Sequence, residues 1–240
     1  MADGLANAAT AYGLGVGPGD PELITVKALR LLRACPVVAY PAPEKGDSLA
    51  RRIAAPHLSG TQAEIVIRMP LDAARFPAEE VYGAAADEIG GHLKAGRDVA
   101  ILCQGDPFFY GSFMYLFARL AERYPVQVVP GVSSLTACAA ALGAPLASRN
   151  DVLTVVPAVL AEDKLAAHIE AAEAAAIIKV GRHLPKVRRV LERLGLSDRA
   201  HYIEHATMAQ ERRMALDAVD PATVPYFSMV LVHVRGEAWR

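Results

Sequence analysis

The sequence predicts an α/β protein, and three observations point there. Short apolar runs that read as strands alternate with stripes of helical period through both halves of the chain. Two glycine-rich turns carrying Asp-Pro, Gly15–Pro21 and Cys103–Ser112, each follow such a run and lead into a helical segment. The chain has 240 residues, 53% of them hydrophobic, enough for one large core or two small ones.

In chain order, Ala11–Val16 reads as the first strand. Asp20 then reads as an N-cap with Pro21 at the first helical position, where its missing N–H costs nothing. Leu23, Val26, Ala28, Leu29 and Leu32 continue the helical stripe to about Arg33. Pro36–Tyr40 reads as a strand, Pro41–Gly46 as a loop, and Ser48 as the cap of a short helix. Ala63–Met69 is a strand and Pro77–Ala95 a helix weakened by three glycines. Val99–Cys103 is a strand, Gly111–Arg123 a helix, Val126–Val129 a strand, and Ser133–Leu142 a helix. Beyond a linker-like stretch at Gly143–Asn150, the second half predicts a strand at Val152–Val156 and an alanine-rich helix at Leu160–Ala175. A strand at Ile177–Val180, a helix at Leu184–Leu194 closed by Gly195, and strands at His201–Glu204 and Tyr226–Val234 follow. Such alternation predicts parallel sheets with helices on both faces.

Composition excludes several classes. With 25 basic and 26 acidic residues, the net charge of -1 offers no global attraction for nucleic acid. Three cysteines, Cys35, Cys103 and Cys138, lie far apart without a C-x-x-C, which disfavours a disulfide framework and a thiolate zinc site and suits a reducing cytosol. Residues 1–10 read as a loose tail, since they have neither the basic nor the apolar region of a signal peptide. No apolar run reaches the length of a membrane span.

Known motifs fail on spacing. From Gly15 the third glycine of G-x-G-x-x-G would be Asp20, and from Gly13 it would be Pro18; no acidic residue ends the second strand at Tyr40. A nucleotide-cofactor oxidoreductase is therefore disfavoured. There is no P-loop and no G-x-S-x-G elbow. His201–His205 matches H-x-x-E-H, but on a strand the two histidines stand about 13 Å apart, too far for one metal. No metal site is predicted. Phe108, Phe109 and Tyr110, in a chain with 6% aromatics, read either as a hydrophobic wall for a ligand or as core filling. Ser133 and Ser134 at a third strand-to-helix turn could cap the helix, bond a ligand, or both.

Taken together, Gly15–Pro21 with Leu23-Ile24-Thr25, Gly105-Asp106-Pro107 and Val129–Ser134 resemble the tetrapyrrole (corrin/porphyrin) methylase family, over about Tyr12 to Arg235. Within it, Gly105–Leu116, Tyr202–Met208 and Pro225–Ser228 are most similar to the precorrin-2 C20-methyltransferase subgroup, with the cobalt-factor II C20-methyltransferases next. The resemblance implies two α/β domains with a cleft between them, divided at about residues 11–130 and 131–240. It implies S-adenosylmethionine as methyl donor, S-adenosylhomocysteine as product, a tetrapyrrole acceptor, methylation of C20 of precorrin-2 to give precorrin-3A, and a cytoplasmic homodimer. Cofactor contacts carried over by motif are Pro18, Gln104, Gly105, Asp106, Phe109, Ser133, Ser134, Val180 and Ala206. Gly17, Tyr110, Glu204 and His205 are carried over for the substrate, and Asp106 and Tyr110 as candidate catalytic groups, with Glu204 and His205 as further candidate bases. Lys45, Arg68, Arg149, Lys179, Arg182 and His183 are candidate cations for the acceptor's carboxylates. A non-catalytic tetrapyrrole-binding protein would bind the macrocycle without releasing S-adenosylhomocysteine.

Overall fold

A computed structural model describes residues 9–70 and 79–236. The chain divides into two compact units between Ser133 and Ser134. Each unit carries one five-stranded sheet.

In the first unit β1 (Ala11–Gly15) leads to α1 (Val26–Ala34) and β2 (Val37–Pro43). Then come α2 (Leu49–Ala54), β3 (Ala63–Met69), α3 (Glu79–Lys94), β4 (Val99–Cys103), α4 (Phe113–Ala121) and β5 (Val126–Val129). The strand order is β3-β2-β4-β1-β5, and every pairing is parallel. All five residues of β4 are buried, as expected of a central strand covered on both faces. Ala28, Leu31 and Leu32 of α1 and Ile53 of α2 pack with Leu14, Val38 and Leu102 on one face. Ile89 of α3 and Leu116 and Leu120 of α4 pack with Val37, Ile65 and Ile101 on the other.

This order contains a switch point. The crossover from β1 runs toward β2, while that from β4 passes over β1 to β5 on the opposite face. The two chains leave the carboxyl ends of adjacent strands on opposite faces of the sheet, and such a switch point, here between β1 and β4, is where open α/β sheets have their ligand crevice.

The first predicted helix is two elements. Pro21–Leu23 forms a single 3-10 turn capped by Asp20, whose Oδ1 accepts the Glu22 N–H at 2.8 Å. The chain then extends at Ile24 and restarts as α1 under a second cap, Thr25, whose Oγ1 accepts the Ala28 N–H at 3.3 Å. Val26 consequently faces solvent rather than joining the apolar stripe. Ser48 does cap a short helix, accepting the Arg51 N–H at 3.2 Å. Part of the predicted Pro77–Ala95 helix, residues 77 and 78, lies outside the described residues.

The second unit runs α5 (Ser134–Leu142), β6 (Leu153–Pro157), α6 (Glu162–Glu170), β7 (Ala174–Ile178), α7 (Leu184–Arg193), β8 (Ala200–Glu204), β9 (Arg212–Ala215) and β10 (Ser228–His233). Its sheet order is β6-β7-β10-β8-β9. Only β6 and β7 pair in parallel; β10 is antiparallel to both β7 and β8, and β8 to β9. The all-parallel expectation fails here because parallel neighbours need a long crossover, usually a helix. Seven residues, 205–211, separate β8 from β9, and the link from β9 to β10 holds only a 3-10 turn at Leu216–Ala218.

The predicted helix over Leu160–Ala175 stops at Glu170, and Ala174–Ile178 is a fully buried strand. Alanine's helix preference is a weak bias, and a central place between two strands overrides it. The stretch Gly143–Asn150 lies inside this unit, where the His233 ring meets the Pro145 carbonyl. Among the described residues, no helix is long and apolar enough to cross a membrane.

All three cysteines are buried and free. Burial pushes the Cys35 and Cys138 thiols up to about 12, with smaller contributions from Asp98 and Glu211 respectively; burial, and then Asp106, pushes Cys103 up as well. Raised folded-state values mean that the native state holds protons the unfolded chain releases. Stability from this source is complete below the unfolded thiol range and is lost as pH rises through it toward 12. Chemical denaturation repeated between pH 8 and 11 should show stability falling above pH ~9, by up to about 1.4 kcal/mol per pH unit per thiol. A Cys35→Ala, Cys138→Ala double variant should flatten that slope, and an unchanged slope would refute the assignment.

Candidate active site

The carboxyl ends of β1, β4 and β5 bring three turns together. Val16 N–H donates to the Cys103 carbonyl at 2.9 Å, extending the β1–β4 ladder. Gly17 and Gly105 then form an isolated antiparallel bridge, with Gly105 N–H donating to the Gly17 carbonyl at 2.7 Å and Gly17 N–H to the Gly105 carbonyl at 3.3 Å. The chains leaving β1 and β4 are thus fastened to each other at the crevice.

Asp106 fastens the third turn. Its Oδ2 accepts the Gly131 N–H at 3.0 Å and its Oδ1 the Phe108 N–H at 2.9 Å. One carboxylate therefore holds its own turn closed and ties it to the exit of β5. Backbone contact makes this fit tight. A Cβ added at Gly131 would lie 2.2 Å from the Gly105 carbonyl oxygen and 2.7 Å from the Gly15 Cα. Gly105 has the opposite surroundings: φ is +67°, but an added Cβ would meet no heavy atom within 4 Å. The turn leaves an open space beside the Gly105 backbone, where a ligand can approach closely.

Pro18 is buried beside Gly17, and Gln104 and Ser133 are half-buried. Phe109 and Tyr110 are exposed and meet edge-to-face with ring centroids 5.1 Å apart. Phe108, also exposed, touches Phe117 edge-on at 5.1 Å, so its ring partly covers α4. Tyr110 has φ +54°, a left-handed conformation that costs a non-glycine residue about 1–2 kcal/mol. Strain of this kind clusters at functional sites.

The remaining predicted residues lie in the second unit. Val180 is fully buried just beyond β7, and Glu204, His205 and Ala206 stand at the carboxyl end of β8. These two strand ends flank the start of β10, where Gly181 N–H donates to Ser228 Oγ at 3.3 Å. Lys179 and His205 each follow the last residue of a strand and both are left-handed, with φ +57° and +51°. Ser134 begins α5, whose Cys138 and Ala139 pack with Ala206, Ile178 and Met229.

Glu204 is buried. Oε2 accepts the Tyr202 hydroxyl at 2.6 Å, and Oε1 takes the Arg212 guanidinium. Burial, and then the neighbouring Glu204, pushes the Tyr202 phenol up. His205 is half-buried against Phe227, ring centroids 6.2 Å apart. Its Nδ1 is buried with no hydrogen-bond partner among the described residues.

Sequence reasoning left two participants unassigned. Gly131 appeared only as part of a turn, because a partner for the Asp106 carboxylate 25 residues away leaves no local signal. Arg212, which neutralises Glu204, lies on a strand with no apolar pattern to announce it.

Comparison with known proteins agrees with this architecture. The family model described as Tetrapyrrole (Corrin/Porphyrin) Methylases matches residues 10–219. A Sinorhizobium precorrin-2 C(20)-methyltransferase is 41% identical over 228 residues, covering 92% of this chain and 93% of that protein. The Mycobacterium tuberculosis cobalamin biosynthesis protein CobIJ is also 41% identical, over 231 residues; the chain spans 46% of that longer protein. A Salmonella typhimurium cobalt-precorrin-2 C(20)-methyltransferase is 31% identical, covering 94% of this chain and 97% of that protein. Among solved structures, uroporphyrin-III C-methyl transferase from Thermus thermophilus complexed with S-adenyl homocysteine matches with a TM-score of 0.70 at 27% identity, covering 95% of this chain and 99% of that one.

Proposed function

We propose, for a chain that belongs to the tetrapyrrole (corrin/porphyrin) methylase family, that it transfers a methyl group from S-adenosylmethionine to C20 of precorrin-2, giving precorrin-3A. The observation that carries this reading is the 41% identity to a precorrin-2 C(20)-methyltransferase over 93% of that protein's length. The switch point between β1 and β4 supports it, since open α/β sheets bind their ligands at such a point.

S-adenosylmethionine, when bound, supplies an electrophilic methyl group on a sulfonium. The residues of the crevice suit such a group: the open backbone at Gly105, the fastened Gly17 bridge and the exposed Phe109 ring. Pro18, Gln104, Gly105, Phe109 and Ser133 would hold it. Ser134, Val180 and Ala206 enter the proposal as further contacts on the family resemblance alone.

The role proposed for Asp106 is positioning. Each of its oxygens accepts a backbone N–H group, which holds the turn closed and ties it to the exit of β5. Glu204, engaged by Tyr202 and Arg212, likewise orients the end of β8. His205 is the proposed group whose ring nitrogen can receive the proton, Tyr110 one whose hydroxyl can relay it, and Gly17 a backbone contact for the acceptor. The acceptor is an electron-rich π-system and the donor already activated, so holding the two in line supplies most of the rate. Such orientation accounts for roughly 7–11 kcal/mol in well-placed intramolecular reactions. Exposed aromatic rings at the crevice would exclude water from the reacting pair.

The reading further includes a cytoplasmic homodimer. Its decisive test is incubation with precorrin-2 and methyl-labelled S-adenosylmethionine, followed by NMR of the product. Label on C20 is the expected result; label elsewhere, or none, overturns it. A parallel incubation with the cobalt-loaded substrate separates this reading from the activity named for the Salmonella relative.

A further inference from the structure

A groove of about 370 Å³ opens in the first unit, toward the carboxyl ends of β2 and β3 and beside α2. Its polar lining includes Tyr40, Asp47, Ser48, Arg51, Arg52 and Arg68. The three guanidinium groups are in different states. Arg51 is compensated: Nε and Nη2 each donate to a Glu64 oxygen at 2.9 Å, and Tyr40 also donates to that carboxylate. Arg68 donates from Nη1 to the carbonyls of Pro43 at 3.0 Å and Gly46 at 2.9 Å. Those acceptors are neutral, so among the described residues no carboxylate cancels its charge, while two hydrogen bonds fix its position. Arg52 is exposed, and beyond the backbone bonds of α2 its guanidinium has no hydrogen bond or ion pair with the described residues. Against these two cations the described lining of the groove presents one carboxylate, Asp47.

Placement gives the groove its meaning. All pairings in this sheet are parallel, so the groove and the β1–β4 crevice lie toward the same edge. The groove lies over β3 and β2, and the crevice lies between β4 and β1. Two strand spacings, about 10 Å, separate them. A macrocycle of four five-membered rings spans a comparable distance. With one bridging carbon at the crevice, a rim carboxylate reaches the groove.

We propose that this groove binds a carboxylate-bearing side arm of the acceptor, with Arg68 as the fixed cation and Arg52 as the exposed one. The inference rests on the acceptor being a polycarboxylate tetrapyrrole. It makes Arg52 a determinant of acceptor affinity and leaves the methyl donor's site untouched.

The test uses the whole protein, a porphyrin octacarboxylate as fluorescent probe, and S-adenosylhomocysteine calorimetry in parallel. Arg52→Gln should weaken probe binding about tenfold, Arg52→Glu further, and Arg52→Lys should restore most of it. Where methyl transfer is measured, KM for the acceptor should rise more than kcat falls. Melting temperature and S-adenosylhomocysteine affinity should stay at wild-type values. Probe affinity within twofold of wild type in both Arg52→Gln and Arg52→Glu overturns the inference, as does a wild-type protein that binds no probe. Wild-type protein that neither binds S-adenosylhomocysteine nor transfers methyl groups overturns the functional reading instead.

Discussion

Asp106→Ala should weaken S-adenosylhomocysteine binding by at least tenfold while leaving the protein folded. The carboxylate accepts two backbone N–H groups, one within its own turn and one from the exit of β5. Hydrogen bonds to a charged acceptor contribute about 1.5–3 kcal/mol each. The exposed Phe108 N–H recovers water readily, whereas the half-buried Gly131 N–H does not. About 2 kcal/mol of order in the turn is therefore lost. If only the ordered turn is competent to bind, that loss appears in the dissociation constant, at tenfold per 1.4 kcal/mol. The β strands below keep their packing, so the melting temperature should fall by only a few degrees. Calorimetry and thermal melting on the same samples check both halves. An unchanged dissociation constant would show that the clamp is irrelevant to the ligand.

Gly131→Ala and Gly105→Ala should differ sharply, although each adds one methyl group. At Gly131 the new carbon would lie 2.2 Å from the Gly105 carbonyl oxygen and 2.7 Å from the Gly15 Cα, both backbone atoms. No side-chain rotation relieves that contact, so the exits of β1, β4 and β5 must separate. Overpacking in a fitted interior costs about 1–3 kcal/mol, and rigid backbone neighbours place this case at the upper end. The separation also breaks the Asp106 clamp, so ligand binding should disappear together with several degrees of melting temperature. At Gly105 the space is open and only the positive φ resists, at about 1–2 kcal/mol. Gly105→Ala should therefore remain better folded than Gly131→Ala. The reverse order of melting temperatures would discredit the close-packed account of the three turns.

Much of the first unit was legible because its strands are short, apolar and separated by helical stripes. Ala63–Met69, Val99–Cys103 and Val126–Val129 fall where periodicity places them. The second unit was less so. Its alanine run has a helix former's composition but a central strand's location, and composition does not encode location. Strand β9, with two arginines in four residues, has no pattern of its own and exists through pairing with β8. At the site, the turns were legible by their glycines and Asp-Pro pairs. The left-handed backbones of Lys179 and His205 were not, because neither residue type demands that conformation. The clamp between Asp106 and Gly131 depends on tertiary approach alone.

The four residues Arg212–Ala215 form a border of the second sheet. Arg212 reaches inward to a buried carboxylate, and Arg213 closes on Glu211. A border so short and so charged makes a poor template for a foreign strand, since an incoming chain would have to desolvate guanidinium groups for few ladder bonds. Sheet-to-sheet aggregation through this rim is thereby discouraged.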